Sequence, residues 1–239
     1  MITARRQQIL AALIHEYVAH AMPVASKALV EGYPLGVSSA TVRNDLSALE
    51  EGGYIRQPHT SAGRIPTDFG YRNFVDGLLK DVDLVEDAQA ADAIRNIRDT
   101  ASELDELLNR TSMMISQLTD CLSFVLPSHA ASLRIRSIGL SALMQQPEFQ
   151  SSLVLVPLLR MIEDDSLVGY IQHTMSNEGP FVRIGHENDE ESLGNVSVVA
   201  SSFGKGEETG IIAVIGPTRM DYERVIAAVQ AARHTLDEF

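Results

Sequence analysis

Residues 35–67 hold the side chains of this sequence that are best suited to reading a nucleic acid. They read LGVSSATVRNDLSALEEGGYIRQPHTSAGRIPT, which predicts a short polar helix followed at once by a tight hairpin. One helix face is apolar and the other polar, and the hairpin has cations and donors near its tip. The candidate contact residues are Ser38, Ser39, Thr41, Arg43, Asn44, Arg56, His59, Thr60, Ser61 and Arg64.

The polar face of this helix has the chemistry of base recognition in a DNA major groove. Arginine pairs bidentately with guanine and asparagine with adenine, and both types are present as Arg43 and Asn44. Hydroxyls such as those of Ser39 and Thr41 bond phosphates or bases, and Arg56 and Arg64 suit the DNA backbone or the minor groove. Two other interpretations are a merely solvated helix face and a protein-contact surface. The basic hairpin that follows the helix argues against the solvated face. A protein-contact surface would not need Arg43, Asn44, His59 and Arg64 together on one face.

Local signals set the bounds of the predicted helix and hairpin. Ser38 or Ser39 can cap the helix start, because a serine hydroxyl accepts an orphan backbone N–H there. Gly52 and Gly53 predict its end, since glycine adopts positive φ without steric cost. Strands are then expected at 54–56 and 65–66.

Residues 1–34 contain the predicted helices that would position this element. Residues 3–21 are amphipathic and predict a first helix that ends at Met22-Pro23, and residues 24–31 predict a short second one. A turn at 32–36 leads into the polar helix. Helix, helix, turn, polar helix and hairpin is the order of a winged helix-turn-helix.

The charge of the chain is distributed unevenly. The net charge is −13, but residues 1–80 hold eight Lys and Arg against seven Asp and Glu, so the acidity belongs to residues 81–239. The near-neutral first part would need two copies on each DNA site for useful affinity. The sequence has no long apolar run, no signal peptide pattern and a single cysteine, so we expect a soluble cytoplasmic protein.

The second part of the chain predicts a small antiparallel sheet with helices. Residues 80–92 are acidic and predict a linker or a frayed helix start. Residues 94–125 carry a 3,4-spaced stripe, which predicts a long helix that either forms a dimer seam or packs within its own chain. We expect the seam, through Leu104, Leu108, Ile115 and Leu118. Further predicted elements are a strand at 132–140, a turn at 145–148, one or two helices over 153–171, strands at 181–184, 196–199 and 211–215, a loop at 204–210, and a last helix from Thr218.

Two groups of residues carry a specific resemblance to one protein family. The first is the ungapped segment PVASKALVEGYPLGVSSATVRNDLSALEEGGYIRQPHTSAGRIPTDFGYRNFVD, and the second comprises FVRIGHEN, SVVASSFG and GIIAVIGPTRMDYERVI. Together they resemble the HrcA family of heat-inducible transcription repressors. The resemblance implies an α+β fold: a winged helix-turn-helix at 1–80, a linker and long heptad helix at 81–131, and a reduced GAF-like antiparallel sheet with flanking helices at 132–239. It is called reduced because the family carries an inserted dimerisation domain that this shorter chain lacks.

The resemblance also implies a function and partners. These are repression of heat-shock and chaperone operons, a homodimer on an inverted-repeat operator of double-stranded DNA, and regulation by the GroE chaperonin. The lack of a long apolar run separately predicts no membrane contact. The alternative is a winged-helix regulator of other genes that responds to a small ligand in its C-terminal domain.

An enzyme is not indicated by any group of residues in the chain. His15 and His20 are five positions apart, so they do not share a helix face as zinc ligands would. There are no paired cysteines for zinc and no phosphate-binding loop, and Cys121 is expected in the core. We therefore predict no catalytic residue, metal or cofactor. His186, Glu187 and Asn188 follow a strand and leave two possibilities open, a ligand pocket or a loop satisfied by its own hydrogen bonds.

Overall fold

The computed structural model of the chain describes residues 2–59, 62–80, 87–100, 103–127, 138–175, 180–205 and 208–238. The chain divides into two compact units, Met1–Lys80 and Asp81–Phe239. Among the described residues, no helix is both long enough and apolar enough to cross a bilayer.

The first unit has the predicted winged helix-turn-helix order. Its elements are α1 (Ala4–His20), α2 (Ser26–Gly32), α3 (Ser39–Glu51), β1 (Ile55–Arg56), β2 (Ile65–Pro66) and α4 (Asp68–Lys80). Thr3 caps α1, and Ala21 ends it in a left-handed conformation just before Met22-Pro23. The core lies where α1, α3 and the strands meet, and it is made of aliphatic residues with at most 1% exposure: Ile9, Leu10, Leu13, Ile14, Leu29, Val42, Leu46, Leu49, Ile55 and Val75.

Two close backbone approaches hold the hairpin against the helices. The N–H and C=O groups of Val24 and Arg64 exchange two hydrogen bonds of 2.9 Å, which adds the segment before α2 to the edge of β2. A Cβ at Gly63 would lie 2.5 Å from the Val24 carbonyl, so glycine permits this pairing. A Cβ at Gly70 would lie 2.0 Å from the Tyr54 carbonyl oxygen, so α4 can pack on the start of β1 only with glycine there.

The second unit is a four-stranded antiparallel sheet between two layers of helices. Its helices are α5 (Ala88–Thr100), α6 (Leu104–Thr119), α7 (Leu140–Gln145), α8 (Ser152–Glu163), α9 (Ser166–Thr174) and α10 (Tyr222–Asp237). Its strands are β3 (Leu122–Pro127), β4 (Phe181–Ile184), β5 (Val196–Lys205) and β6 (Glu208–Pro217), in the spatial order β3-β6-β5-β4. Short 3-10 helices lie at Pro147–Gln150, Gly185–Glu187 and Glu191–Leu193.

The two faces of the sheet differ because side chains alternate along each strand. One face presents Val196, Val198 and Ala200 of β5 to a core built from α7, α8 and α9. The other face is covered by α6 and α10. It carries small hydroxyl residues that bond the helices: Ser123 and Ser112 exchange bonds of 2.9–3.1 Å, and the hydroxyls of Ser197 and Tyr222 lie 2.7 Å apart.

The stripe over 94–125 does not form the expected long helix or an open seam. It is divided among α5, α6 and β3, and Asp120 adopts φ 52° at the end of α6 so that the chain can turn into the strand. Leu108 and Ile115 are 4% and 0% exposed, because α6 packs on β3 and α10 of its own chain. The intrachain interpretation is therefore correct, and the seam built on these two side chains is wrong.

The structure also differs from three smaller predictions. The strand expected at 132–140 falls largely outside the described residues; within them, Ile138 pairs with Ser123 in an isolated bridge and Leu140 begins α7. The last helix begins at Tyr222 rather than Thr218, because Asp221 supplies its cap by accepting from the Arg224 N–H. The expected loop at 204–210 belongs mostly to β5 and β6, which continue the hairpin to Lys205 and from Glu208.

Cys121 lies in the core of the second unit, as expected. Its side chain faces Gly216, where a Cβ would lie 2.6 Å from Sγ. Burial raises the pKa of this thiol to about 12. A thiol with such a pKa is neutral at physiological pH, which argues against a nucleophilic role.

The contact between α4 and β1 makes Gly70 sensitive to substitution. Gly70→Ala should lower the free energy of unfolding of the first unit by about 1–3 kcal/mol, because the added methyl overlaps the Tyr54 backbone. Gly77→Ala is the matched control in the same helix, since a Cβ there meets nothing within 4 Å. That control should gain about 0.5–1 kcal/mol from helix propensity. Urea unfolding measures both; equal stability of the two variants would contradict the packing account.

Candidate DNA-binding surface

The surface is organised around α3, which has the features of a recognition helix. Its start is capped as expected: the Ser38 Oγ accepts from the Thr41 N–H at 3.2 Å. Val42, Leu46 and Leu49 are fully buried, which fixes the rotation of the helix. That rotation turns the opposite, polar face outward.

The candidate residues on α3 differ in exposure. Ser38, Arg43 and Asn44 are exposed, whereas Ser39 and Thr41 are half-buried. The Ser38 and Thr41 hydroxyls lie 3.0 Å apart. Within the described part of the chain, the side chains of Arg43 and Asn44 have no ion-pair or hydrogen-bond partner. Both groups are therefore available to an external ligand.

The wing is the hairpin of β1 and β2 together with its loop. Ile55 faces the core and Arg56 faces solvent, as the alternation of a strand requires. Two hydrogen bonds hold the loop. Gln57 Nε2 donates to the Ala62 carbonyl at 2.7 Å, and the Ala62 N–H donates to the His59 carbonyl. His59 is exposed at this turn. The expected contacts Thr60 and Ser61 lie outside the described residues.

Arg64 differs from Arg56, because it has a partner inside the protein. Its Nε and a terminal nitrogen both lie 3.0 Å from Glu50 Oε2, at the end of α3. The Arg64 side chain is 21% exposed. Together with the backbone pairing to Val24, this ion pair ties the wing to the recognition helix, a role that spacing alone did not predict.

A buried carboxylate in the middle of α3 fixes the helix against α1. Asp45 is 2% exposed and receives Arg5 Nε at 2.7 Å and Arg6 Nε at 3.0 Å. The hydrogen bond from Arg5 is the largest influence on the pKa of Asp45 and lowers that pKa. Burial raises the pKa, and the hydrogen bond from Arg6 lowers it further. The net result is a pKa below the ordinary value for an aspartate.

Four residues of this surface were not predicted from the sequence: Asp45, Glu50, Arg5 and Arg6. A signal existed for Asp45, which falls three residues after Val42 and one before Leu46, on the apolar face of the helix. A charged residue on a core face requires a buried partner. Nothing in the spacing identified that partner as α1, about forty residues earlier.

The His186–Asn188 loop of the second unit is satisfied by its own hydrogen bonds. The Asn188 amide donates to the carbonyls of Gly185, Leu193 and Val196, and its oxygen accepts from the Tyr170 hydroxyl. Glu187 Oε2 accepts from the Ile184 N–H at 2.9 Å. Of the two interpretations left open by the sequence, the loop satisfied by its own hydrogen bonds therefore describes these residues, and the ligand pocket does not.

Asp45 should make the stability of the first unit depend on pH. Because its folded pKa is depressed, its contribution is present above the unfolded value of about 3.9 and is lost as the pH falls through the folded pKa. Asp45→Asn should cost about 1–3 kcal/mol at pH 7, since two arginines lose their charged acceptor. The difference between wild-type protein and variant should begin to shrink below about pH 4 and disappear as the pH falls through the depressed folded pKa.

Chemical denaturation from pH 7 to pH 3 measures this convergence. Asp76→Asn is the control, because Asp76 forms an exposed i,i+4 pair with Arg72 and should contribute little at any pH. A constant difference between wild-type protein and Asp45→Asn across this range would contradict the assignment.

Comparison with known proteins places this architecture in a family. Residues 5–67 match the DeoR-like helix-turn-helix domain, and residues 128–226 match the HrcA protein C terminal domain. Heat-inducible transcription repressors HrcA are similar along nearly the whole chain: that of Streptomyces avermitilis is 31% identical, covering 97% of this chain and 96% of its own, and that of Desulforamulus reducens is 29% identical, covering 97% and 95%.

A crystal structure of a hypothetical protein shares the fold, with a TM-score of 0.79 and 20% identity, covering 100% of this chain and 98% of its own. The alignment with the Streptomyces avermitilis protein extends over 328 positions while this chain has 239 residues, so at least 89 positions are gaps in this chain. Because both ends are matched, the gaps are internal, as expected from the missing insert. The relatives are transcription repressors rather than enzymes, and this chain, internally shortened, belongs to the HrcA family of heat-inducible transcription repressors.

Proposed function

We propose that this protein is a sequence-specific DNA-binding repressor of heat-shock and chaperone operons. The observation that carries the proposal is the outward face of the capped helix α3, on which Arg43 and Asn44 are exposed without internal partners. These are the side chains that discriminate guanine and adenine in the major groove. Family membership supplies the class of gene that is repressed.

The candidate residues divide into base-reading and backbone-binding groups. Arg43 and Asn44 read base edges, and Ser38, Ser39 and Thr41 bond phosphates or bases near the start of α3. On the wing, Arg56, His59, Thr60 and Ser61 hold the sugar–phosphate backbone. Arg64 contributes there while it remains bonded to Glu50, so its positive charge is partly neutralised.

The repressor acts as a homodimer on an inverted repeat. The first unit carries only one net positive charge, so a single copy has little electrostatic affinity for DNA. Two copies related by a two-fold axis place one recognition helix on each half-site. The protein works in the cytoplasm, and family resemblance names the GroE chaperonin as the partner that keeps it active.

The two-unit organisation supports a division of labour. Residues 1–80 read DNA, and the antiparallel sheet unit that follows carries regulation and self-association. A small-ligand sensor in that second unit has no specific observation in its favour, because the loop with the best candidate polar groups uses them internally.

Substituting base-reading and backbone-binding arginines should have different effects. Arg43→Ala should cost about 1–3 kcal/mol for each bound chain on the preferred operator and relax specificity at one base position of each half-site. Arg56→Ala should weaken all sequences alike and reduce the salt slope by about 1 for each bound chain. Arg95→Ala, an exposed arginine of α5 paired with Asp92, is the control for loss of one charge.

Selection of bound sequences from random DNA, followed by titration of operator and scrambled DNA, measures these effects. An unchanged ratio of the two affinities in Arg43→Ala would refute base reading by Arg43. Failure of the wild-type protein to enrich any sequence would refute the repressor proposal.

Symmetry predicts a definite stoichiometry on DNA. Sedimentation should find two chains on a full inverted repeat, and affinity for the full repeat should exceed that for one half-site by roughly a hundredfold or more, because the second half-site binds at high effective concentration. A half-site mutated at the base read by Arg43 is the control. One chain per full repeat with equal half-site affinity would exclude the dimer.

A further inference from the structure

The Asp45 cluster brings two cations to one anion beside the recognition helix. We propose that Arg5 and Arg6 form a second DNA-phosphate contact, held in place by Asp45 at the edge of α3. This inference rests on the proposed DNA-binding function and adds a phosphate-binding site that the sequence did not indicate.

The two arginine side chains of the cluster are exposed to solvent, whereas the aspartate side chain is covered. The Asp45 side chain is 3% exposed, whereas those of Arg5 and Arg6 are 52% and 36% exposed. Arg5 donates two hydrogen bonds to Asp45, of 2.7 and 3.3 Å, and Arg6 donates one of 3.0 Å. Because each guanidinium carries five N–H donors, most of them stay free for an oxyanion. The carboxylate is covered while the cations face solvent.

The local charge balance favours an anionic ligand. Each of the other ion pairs in the described part of the first unit joins one basic residue to one acid, as in Lys27–Glu31, Arg64–Glu50 and Arg72–Asp76. At Asp45, two positive charges share one negative charge. The cluster therefore carries a surplus positive charge in a unit whose whole net charge is +1.

The cluster lies along an edge of the helix face that reads bases. Ser38, Thr41 and Asp45 are spaced three and four residues apart, so they form one ridge. Asn44 lies about 100° around the helix from Asp45, and Arg43 about 160° around in the opposite sense. A major-groove helix is flanked by a phosphate strand on each side, and this ridge faces one of them.

The wing accounts for the other phosphate strand. Glu50, which holds the wing residue Arg64, lies five residues beyond Asp45 and so about 140° around α3, on the Arg43 side. The Arg5–Arg6 pair and the wing thus lie at opposite edges of the base-reading face. With both edges occupied by cations, the helix is held from two sides and the base-reading pair stays centred in the groove.

Asp45 has a distinct part in this arrangement. It touches no DNA itself but orders two long side chains before binding, which lowers the entropy lost when they reach a phosphate. It is a positioning residue, so its substitution should change the stability of the first unit without removing the positive charges that contact DNA. Asp45→Asn should lose stability while the two arginine charges remain.

The test is the salt dependence of operator binding by the full-length protein. Arg6→Ala should reduce the slope of log affinity against log salt by about 1 for each bound chain, and weaken binding roughly tenfold for each chain near 0.1 M salt. The fold should survive, because Arg5 keeps both of its bonds to Asp45. Arg6→Lys should restore the slope, since it restores the charge. Arg110→Ala in α6, which removes a similarly exposed arginine paired with Glu106, should leave the slope unchanged.

A purely structural role gives a different pattern. In that case Arg6→Ala and Asp45→Asn would both lose stability and neither would change the slope, which would overturn the inference. Support requires the slope to fall in Arg6→Ala and to be maintained or steeper in Asp45→Asn, with both proteins verified as folded by circular dichroism. Wild-type protein without salt-dependent operator binding would instead overturn the proposed function, and this inference with it.

Discussion

The first unit depends on the compensation of one buried charge. Asp45 occupies a position on α3 that would otherwise belong to an aliphatic residue, and an unpaired carboxylate there would be strongly destabilising. Arg5 and Arg6 satisfy it only when α1 crosses α3 at the correct place. The burial of Val42, Leu46 and Leu49 sets the rotation of α3, and the ionic cluster sets its register against α1. Together they determine which side chains face outward.

The wing is positioned by contacts that tolerate little change. Gly63 and Gly70 allow backbone to approach backbone, Val24 extends the small sheet, and Arg64 is bonded to Glu50 at the end of α3. The recognition helix is therefore fixed at two points, by α1 at Asp45 in its middle and by the wing at Glu50 near its end. Such fixation suits base recognition, because a hydrogen bond to a base edge discriminates only when its donor is held in register.

The second unit solves a different problem, the burial of both faces of a sheet. One face is aliphatic and packs under α7, α8 and α9, while the other carries serines that bond α6 and α10. The small hydroxyl side chains let these helices approach closely and satisfy their own polar groups inside the unit. The buried, neutral Cys121 and the self-bonded Asn188 fit the same pattern of polar groups used for packing.

Short-range signals in the sequence were sufficient to predict the recognition helix and the wing. The Ser38 cap, the Gly52-Gly53 end, the 3,4 spacing of the core residues and the alternation of Ile55 and Arg56 all act within a few residues, so the chain displays them directly. The apolar stripe at 94–125 predicted one long helix, whereas the structure divides it among α5, α6 and β3. Apolar spacing shows that a face is buried but not what covers it, and the turn at Asp120 between α6 and β3 has only a weak local signature.

Tertiary structure alone decided the roles of the charged residues around α3. Sequence spacing does not distinguish Arg56, which faces solvent, from Arg64, which is bonded to Glu50 fourteen residues earlier. Likewise, Arg5 and Arg6 become part of the candidate DNA surface only because they meet Asp45 about forty residues later. Ion pairs between distant segments depend on how helices cross, and that geometry follows from core packing rather than from any local pattern. The sequence by itself determined the helix and hairpin of the candidate DNA-binding element. The tertiary structure decided which arginines near that element are paired inside the protein and which are free to contact DNA.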